Sequence, residues 1–351
     1  MTASILKEYG FRENNYTITA FGTGLINNTW LVEHTSRKYI LQRINQNVFK
    51  TPAAIDDNIQ MLSVYLKRHY PSYTFTVPVS TVSGNTLVTT TDGAFRMFKF
   101  VQGSKTYDVL QKPQQAFEAA KQFGRFTRLL SGFDALSLKI TLPEFHNLTL
   151  RYQQFEKALD TGNNERIIYA ASHINILKNY KYLVDIFEEI KLNTAFKQRV
   201  THHDTKISNV LFDENDKGIC VIDLDTVMPG YFISDVGDML RTYLSAAGEE
   251  ETDLTKVAVR DEYFKAVMQG YLSEMKDELS LPELDAFAYA GEFMIYMQAL
   301  RFLTDYLNND VYYGAKYPLQ NFNRTANQIV LLEGLVRKEK LFSEMVRTMR
   351  Q

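Results

Sequence analysis

The sequence has little cysteine, almost no net charge and no long hydrophobic segment. Its one cysteine, Cys220, excludes a disulfide framework, Cys-rich zinc sites and CxxC redox sites. Among its 351 residues, 39 Lys and Arg stand against 41 Asp and Glu, and a net charge of −2 lacks the basic surplus that binding to nucleic acid or anionic membranes requires. No apolar run reaches the ~18 residues of a membrane span, and the N-terminal residues lack the apolar core of a secretion signal. We therefore expect a soluble, cytoplasmic protein that binds neither nucleic acid nor membranes; its oligomeric state stays open.

The first hundred residues have the period-two pattern of β-strands. Tyr, Ile, Thr and Val are enriched there, and turn residues separate the runs. The predicted strands are residues 16–21, 29–33, 39–44, 77–82, 86–90 and 95–100. One helix is predicted among them, from Thr51-Pro52 to Tyr70-Pro71, because proline is favoured in the first turn of a helix.

Helical periodicity dominates the remainder of the chain. The predicted helical stretches are residues 113–130, 166–192, 254–275, 282–307 and 322–349. An α+β fold of two lobes is therefore expected. Residues 1–100 form the β-rich N-terminal lobe, residues 101–351 form the larger helical lobe, and a hinge lies at about 98–104.

One stretch of the helical lobe, residues 200–227, has strand and turn character instead. Two short apolar runs flank a segment of turn residues at 213–218, which predicts a β-hairpin. The open ends of a hairpin lie about 4.8 Å apart, so Asn209 and Asp223 should be neighbours, and Asp204 can reach the same place. Carboxylate and amide oxygens are hard ligands that suit Mg²⁺ bound to phosphate.

The order of these residues is that of kinase-type phosphoryl transfer. In His-x-Asp-x4-Asn followed by a hairpin and an Asp, the first Asp accepts the proton of the acceptor hydroxyl, and the Asn and second Asp hold the metal ions. This assigns Asp204 as the base and Asn209 and Asp223 as Mg²⁺ ligands, with Asp225 as a further candidate. An accidental polar turn is the alternative, which a preceding β-rich lobe disfavours. His202 is interpreted as a packed structural residue; His203, in the same loop, is left unassigned.

The β-rich lobe should then bind ATP. Gly22 and Gly24, between the first two strands, would let backbone N–H groups approach the phosphates, helped by the side chains of Asn28 and Thr29. A plain hairpin loop would look the same. The chain has no Walker Gly-Lys-Ser/Thr motif, which excludes a P-loop enzyme.

The third strand lacks the lysine that kinases use to contact the phosphates. Alternation places Gln42 and Arg43 on opposite faces of this strand, and either of them must take that role. An acidic partner on the following helix could be Asp56 or Asp57, although both also suit a charged first helical turn.

Several strings together resemble the aminoglycoside-phosphotransferase and choline-kinase-like superfamily, and within it the N-acetylhexosamine 1-kinases. The strings are Gly22-Thr-Gly-Leu-Ile-Asn-Asn-Thr, Tyr39-Ile-Leu-Gln-Arg-Ile-Asn, Phe145-His-Asn, Val200-Thr-His-His-Asp-Thr-Lys-Ile-Ser-Asn-Val, Val221-Ile-Asp-Leu-Asp-Thr-Val-Met-Pro-Gly and Arg301-Phe-Leu-Thr-Asp-Tyr-Leu. The resemblance implies a bilobal protein-kinase-like fold and transfer of the γ-phosphate of ATP, with Mg²⁺, to the anomeric hydroxyl of GlcNAc or GalNAc. It implies the same roles for Asp204, Asn209 and Asp223, and a hinge at Phe98 to Phe100 whose backbone meets adenine. The glutamine of the third strand is similar to that family's own residue.

The acceptor pocket is expected near the end of a long predicted helix. Arg301 and Asp305 lie at i and i+4, and Tyr312 follows closely. By itself this pattern also fits a surface ion pair worth ~0.3–0.5 kcal/mol beside core tyrosines. The resemblance implies that Arg301, Asp305 and also His146 belong to the substrate pocket.

Two other functions stay open. A choline or ethanolamine kinase would need an aromatic and carboxylate cage around a cation, which the tyrosines could supply. A catalytically silent nucleotide-binding regulatory module is the alternative of another class, although retention of the three catalytic-motif residues argues against it. A polycationic aminoglycoside is disfavoured because it needs an acidic pocket, whereas the last predicted helix is rich in Arg and Lys.

Overall fold

The computed structural model describes residues 2–12, 15–22 and 26–349. Its N-terminal lobe is built on one antiparallel sheet with the strand order β1-β2-β3-β5-β4. The elements of this lobe are α1 (Thr2–Glu8), β1 (Thr17–Ala20), β2 (Asn28–His34), β3 (Arg37–Ile44), α2 (Pro52–His69), β4 (Val88–Thr90) and β5 (Gly93–Lys99).

The two faces of this sheet have different partners. On one face, Leu41 and Phe95 pack with Ile5 and Leu6 of α1 in a small separate core. On the other face, Ile44 joins α2 in the main hydrophobic core of the molecule. Because neighbouring strand residues point to opposite faces, this division also decides which polar side chains of β3 and β5 face the rest of the protein.

The C-terminal lobe is mainly helical. Its helices are α3 (Pro113–Leu129), α4 (Leu148–Thr161), α5 (Asn164–Tyr169), α6 (Ala171–Asn179), α7 (Tyr182–Leu192), α8 (Phe232–Tyr243), α9 (Asp261–Met275), α10 (Leu281–Asp285), α11 (Phe287–Leu307), α12 (Gln320–Val336) and α13 (Glu339–Thr348). Almost every residue of α11 is buried, which marks it as the central helix, and it packs against α4, α8 and α12. None of the helices in the described part of the chain has the length and apolar character needed to cross a membrane.

Two short strand pairs interrupt the helices. The first pairs β6 (Arg199–Thr201) with β9 (Met228–Gly230), and the second pairs β7 (Val210–Phe212) with β8 (Gly218–Val221). The hairpin predicted for residues 200–227 is thus confirmed, as are the α+β fold and the helix after Thr51. The lobe boundary near residue 100 stays a prediction.

The strand predicted at residues 77–82 is wrong. Within this segment Pro78 forms a single β-bridge with Phe98, and Val79 N donates to Met97 O at 2.6 Å, whereas Thr81 N and Val82 N donate outside the sheet, to Asn85 O and Glu8 O. Proline has no N–H to donate to a strand ladder, so the segment follows the sheet edge without joining it. Helices α1, α4 and α8 were not predicted at all.

Candidate active site

The open end of the β7–β8 hairpin brings three polar residues together. Ile222 N donates to the carbonyl oxygen of Asn209 at 2.9 Å, and Asp223 follows with a left-handed backbone at φ 60°. The Asn209 side-chain amide donates to the carbonyl oxygen of Asp204 at 2.8 Å. Asp204, Asn209 and Asp223 therefore share one site, as the hairpin pattern predicted.

Carboxylates converge at this site. Burial, and then the nearby carboxylates of Asp225 and Asp204, raise the pKa of Asp223 to about 7, while the positive charges of Arg96 and Lys206 oppose the shift. A buried group of carboxylates of this kind favours a bound cation, so these residues fit Mg²⁺. No three His, Cys, Asp or Glu side chains form a ready metal site within the described ranges; the candidate set includes the amide of Asn209.

Lys206 is a site residue that the sequence analysis missed. Its Nζ lies 3.1 Å from Asp204 Oδ1, and the side chain of Asp204 is 19% exposed. A lysine two residues after the candidate base, inside the predicted catalytic loop, was the available signal. Lys206 therefore places a positive charge directly beside the candidate base.

Two carboxylates of α8 fix the backbone of residues 202–209, the candidate catalytic loop. Asp235 accepts hydrogen bonds from His202 N at 3.0 Å and from His203 N at 2.7 Å, and Asp238 accepts one from Thr205 N at 2.7 Å. Burial raises the pKa of Asp235 to about 7, although these backbone N–H groups favour its ionised form. The loop that carries Asp204 is thus held by a rigid helix.

The two histidines before Asp204 are both buried. His202 Nε2 contacts Ile222 O at 2.9 Å, and the ring packs edge-on against Phe123, as expected of a structural residue. His203 Nδ1 lies 3.3 Å from His146 Nδ1. Burial lowers the pKa of His203 to about 4 and that of His146 well below its usual range, so the pair is uncharged at neutral pH.

The candidate phosphate loop joins β1 to β2. Gly22 has a left-handed backbone with φ 78°, whereas Gly24 lies outside the described residues. Asn28 is exposed, and Thr29 Oγ1 accepts a hydrogen bond of 3.5 Å from the side chain of Gln42. Asn27, which was not predicted, reaches the site instead: its amide donates to Asp225 Oδ2 at 2.8 Å.

The pairing of β3 with β5 separates the two candidates on the third strand. Gln42 is paired with Arg96, and its Oε1 accepts hydrogen bonds from Nε and Nη2 of that arginine at 3.1 and 2.9 Å. Arg96 Nη2 also forms an ion pair with Asp225, so this face of the sheet looks onto the site. Arg43 is paired with Phe95, whose side chain belongs to the α1 core on the other face.

Asp56 and Asp57 of α2, the candidate acidic partners of the third strand, contact residues outside that strand. Asp56 accepts a hydrogen bond from Thr86 Oγ1 at 2.7 Å, and Asp57 is ion-paired with Lys139.

The predicted hinge begins within the last two residues of β5 and continues beyond the strand. Phe98 lies under the guanidinium of Arg96, which is 5.1 Å from the ring centre, and Phe100 N donates to Lys38 O at 3.0 Å. The ring of Phe21, beside the candidate phosphate loop, packs edge-on against Phe100 at 6.2 Å. The hinge and the phosphate loop therefore border the same space.

A cleft of 680 Å³ lies between α4 and the end of α11. It is lined by Arg151, Gln154, Lys157, Ala158, Thr161, Arg301, Thr304, Asp305, Asn308, Val311, Tyr312 and Tyr313. Three of these side chains are cationic: Arg151, Lys157 and Arg301. Tyr312 is 75% exposed. The cleft thus combines positive charge with aromatic surface.

Arg301 and Asp305 have separate roles in the cleft. Asp305 is only 4% exposed, and its oxygens accept hydrogen bonds from Tyr312 N at 2.7 Å and Tyr313 N at 2.9 Å. Arg301 donates to Gln298 Oε1 at 3.2 Å and lies over the rings of Tyr312 and Tyr313, 5.8 and 5.3 Å from their centres. Asp305 fixes the tyrosine segment, whereas Arg301 faces the cleft beside it.

A chain of ion pairs connects this cleft to the catalytic loop. Arg241 bridges Asp238 and Glu249, with 3.1 Å to each. Glu249 in turn pairs with Arg324, whose guanidinium lies 5.2 Å from the ring centre of Tyr313, a lining residue of the cleft. The loop that holds Asp204 and the wall of the cleft are thereby fixed to one another.

Known structures share this architecture. The chain superposes on an aminoglycoside phosphotransferase from Alicyclobacillus acidocaldarius with a TM-score of 0.65 and 14% identity, over 98% of this chain and 94% of that chain. A microcompartment-associated aminopropanol kinase gives a TM-score of 0.67 and 16% identity, over 97% and 98% of the two chains. A spectinomycin phosphotransferase, in complex with ADP and spectinomycin, gives 0.55 and 13%, over 98% of each chain.

The family model described as the phosphotransferase enzyme family (APH) matches residues 17–278. This range contains all the strands, the catalytic loop and the hairpin at whose open end Asp204, Asn209 and Asp223 meet. The chain therefore belongs to the phosphotransferase enzyme family.

Proposed function

We propose that the protein is a small-molecule kinase that transfers the γ-phosphate of ATP to the anomeric hydroxyl of an N-acetylhexosamine, giving the sugar 1-phosphate. The observation that carries the proposal is the assembly of Asp204, Asn209 and Asp223 at the open end of one hairpin. Membership of the phosphotransferase family and the ADP held by the spectinomycin phosphotransferase support ATP as the donor.

In this proposal Asp204 is the general base. It accepts the proton of the sugar O1 hydroxyl as O1 bonds to the γ-phosphorus and ADP leaves. The anomeric hydroxyl is the most acidic hydroxyl of a reducing sugar, so it needs little activation by the carboxylate to lose its proton. Phosphoryl transfer has a loose transition state that depends mainly on position and charge neutralisation. Lys206 would neutralise charge beside Asp204, and Asp235 and Asp238 keep the loop in place.

Magnesium would be held by Asn209 and Asp223, with Asp225 as a further candidate. Bound there, it would neutralise charge on the phosphates of ATP. We expect Asp223→Asn to weaken nucleotide binding in Mg²⁺ while leaving binding in EDTA nearly unchanged, because only the metal-dependent part of the affinity is lost. Calorimetric titration of ADP at several Mg²⁺ concentrations measures this. An unaltered Mg²⁺ dependence would contradict the assignment.

The charge of the cleft supports a neutral sugar as the acceptor. Arg151, Lys157 and Arg301 line it, while the oxygens of Asp305 are used by backbone N–H groups. Hydroxyl and amide oxygens of an N-acetylhexosamine can accept hydrogen bonds from such cations, and a pyranose ring can pack on Tyr312.

An amino-alcohol kinase is the second candidate. The tyrosine rings of the cleft could pack around a cationic amine, and an aminopropanol kinase shares the fold. Three cationic side chains on the same wall would repel that substrate, which is why the sugar is preferred.

The test is a Mg²⁺–ATP assay against GlcNAc, GalNAc, glucose, galactose, choline and kanamycin, followed by phosphorus NMR of the product. Transfer to an N-acetylhexosamine is expected, with a phosphate ester that dilute acid hydrolyses, as is typical of glycosyl phosphates. An acid-stable sugar phosphate would contradict transfer to O1 but not a kinase. A product from choline alone would favour the amino-alcohol candidate, and no ATP consumption with any acceptor would favour a silent nucleotide-binding module.

A further inference from the structure

A buried arginine lies between the two lobes at the candidate nucleotide site. Arg96 of β5 is 1% exposed, although its guanidinium is always charged. Burying a charge is costly unless it is paired and hydrogen-bonded. A position of this kind in a phosphotransferase indicates a specific role for the charge.

Arg96 is held from both lobes. From the N-terminal lobe, Gln42 Oε1 accepts hydrogen bonds from its Nε and Nη2 at 3.1 and 2.9 Å. From the C-terminal lobe, Asp225, two residues after Asp223, forms an ion pair with Nη2. The guanidinium therefore lies beside the carboxylates at the open end of the β7–β8 hairpin.

Among the described residues, one end of the guanidinium has no partner. Nη1 is buried and has no hydrogen-bond partner among the residues that the structure describes. Buried donors are rarely left unsatisfied in proteins, and an arginine presents paired N–H groups that match phosphate oxygens. A charged donor in this position is suited to a phosphate group.

The pairing of β3 with β5 relates this arginine to the lysine that kinases carry on the third strand. Gln42 stands on β3 on the face that looks onto the site, and Arg96 is directly across from it on β5. Side chains of directly paired residues are about 5 Å apart on one face of a sheet. A long arginine on β5 can therefore bring a positive charge to the space that a lysine at residue 42 would occupy.

We infer that Arg96 is the cation that contacts the nucleotide phosphates from the N-terminal lobe, and that Gln42 is its positioning residue. The inference rests on the proposed function, because it concerns how the same site binds ATP. Gln42 itself contributes no charge; its side-chain oxygen accepts hydrogen bonds that orient the guanidinium of Arg96. The bond from Gln42 Nε2 to Thr29 Oγ1 of 3.5 Å connects this pair to the strand that follows the candidate phosphate loop.

The test compares ADP with adenosine, which lacks phosphates, by calorimetry in Mg²⁺. Arg96→Met should weaken ADP binding tenfold or more and change adenosine binding less than twofold. The double variant Gln42→Lys with Arg96→Met moves the charge to β3 and should recover part of the lost ADP affinity. Arg37→Met, an exposed arginine at the start of β3, is the matched control and should bind both ligands as the wild type does.

Other outcomes separate the possible failures. If Arg96→Met weakens ADP and adenosine equally, or weakens neither, Arg96 is only a structural link between the lobes and the inference is overturned. If the wild type binds neither ligand, the proposed function fails as well. Should Arg96→Met not fold in thermal unfolding, Gln42→Leu decides the question, because it leaves the ion pair with Asp225. We expect it to weaken ADP binding severalfold and spare adenosine; wild-type ADP affinity in this variant would overturn the inference.

Discussion

At the scale of single residues, the proposed chemistry depends most on Asp204. Its carboxylate is partly exposed and ion-paired with Lys206, and its backbone carbonyl accepts a hydrogen bond from Asn209. The side chain can therefore reach a substrate while the backbone beneath it is fixed. These are the two conditions that a general base needs: access to the proton and a defined position.

Asp204→Asn should lower kcat about 10²-fold or more and leave ATP affinity nearly unchanged. General-base catalysis contributes ~10²–10⁴ to a rate, and the amide cannot accept the proton. Steady-state kinetics and nucleotide calorimetry on the same preparation measure both quantities. A variant that keeps half of the wild-type kcat would remove Asp204 from the mechanism.

Arg301→Ala should raise the KM for the sugar and leave the KM for ATP unchanged. A hydrogen bond from a charged donor is worth ~1.5–3 kcal/mol, so the sugar KM should rise about tenfold or more. Arg337→Ala is the control, since this arginine is exposed and paired only weakly, with Glu333 at 4.0 Å. Normal KM values together with a lower melting temperature would mean that Arg301 serves only to hold the tyrosine segment.

Sequence patterns predicted the site residues whose spatial neighbours are also close along the chain. Asp204, Asn209 and Asp223 could be grouped because a hairpin folds locally, and the pattern of its strands fixes which ends meet. Asn27 and Arg96 could not be grouped with Asp225 in this way, because both lie in the N-terminal lobe and Asp225 lies in the C-terminal lobe. Asn27 is 198 positions away from Asp225 in the sequence. Such contacts depend on how the lobes pack, which no local pattern encodes.

At the scale of secondary-structure elements, the short β6–β9 pair supports the catalytic loop. Gly230 of β9 is paired with Arg199 of β6 and lies directly behind His203. A Cβ at Gly230 would lie 2.5 Å from Cε1 and 2.7 Å from Nε2 of the His203 ring. The backbone of His203 is held by Asp235, so the ring has little room to move aside.

Gly230→Ala should therefore destabilise the fold and disturb catalysis together. Overpacking of a rigid site costs ~1–3 kcal/mol, and displacement of His203 should lower kcat because Asp204 is the next residue. Gly248→Ala is the matched control, since among the described residues only its two chain neighbours could lie within 4 Å of the added methyl group. Denaturant unfolding and steady-state kinetics test the pair; equal stability and kcat in both variants would contradict a supporting role for β9.

The errors made for whole elements also have physical causes. Residues 77–82 alternate as a strand does, but Pro78 cannot donate to a ladder, and only the neighbouring Val79 bonds to β5. Helix α8 escaped prediction because nearly all of its residues are buried, polar ones included. Asp235 and Asp238 interrupt its apolar pattern, yet they are buried because they bind the catalytic loop.

At the scale of the whole molecule, the central helix α11 connects the cleft beside α4 to the core. Its C-terminal end carries Arg301 and Asp305, while its N-terminal half packs among α8, α12 and α13. Glu292 lies in that buried half, 2% exposed, and its Oε1 has no hydrogen-bond partner within the described part of the chain. The helix that carries these cleft residues therefore contains a buried carboxyl group whose ionisation is unfavourable.

Glu292 should make the stability of the protein depend on pH. Burial, and then the nearby carboxylate of Glu339, raise the pKa of Glu292 from its usual 4.5 to about 8. Between these two values the folded chain holds a proton that the unfolded chain releases, so the free energy of unfolding falls as pH rises across this window. We expect Glu292→Gln to make the free energy of unfolding less dependent on pH. At pH 8 the free energy of unfolding of the variant should exceed that of the wild type by about 1–3 kcal/mol, and near pH 5 the two values should be closer. Denaturant unfolding at several pH values measures both curves, with Glu344→Gln on the exposed side of α13 as control. Parallel curves for the wild type and Glu292→Gln would show that the folded protein keeps Glu292 ionised, contrary to what its burial predicts.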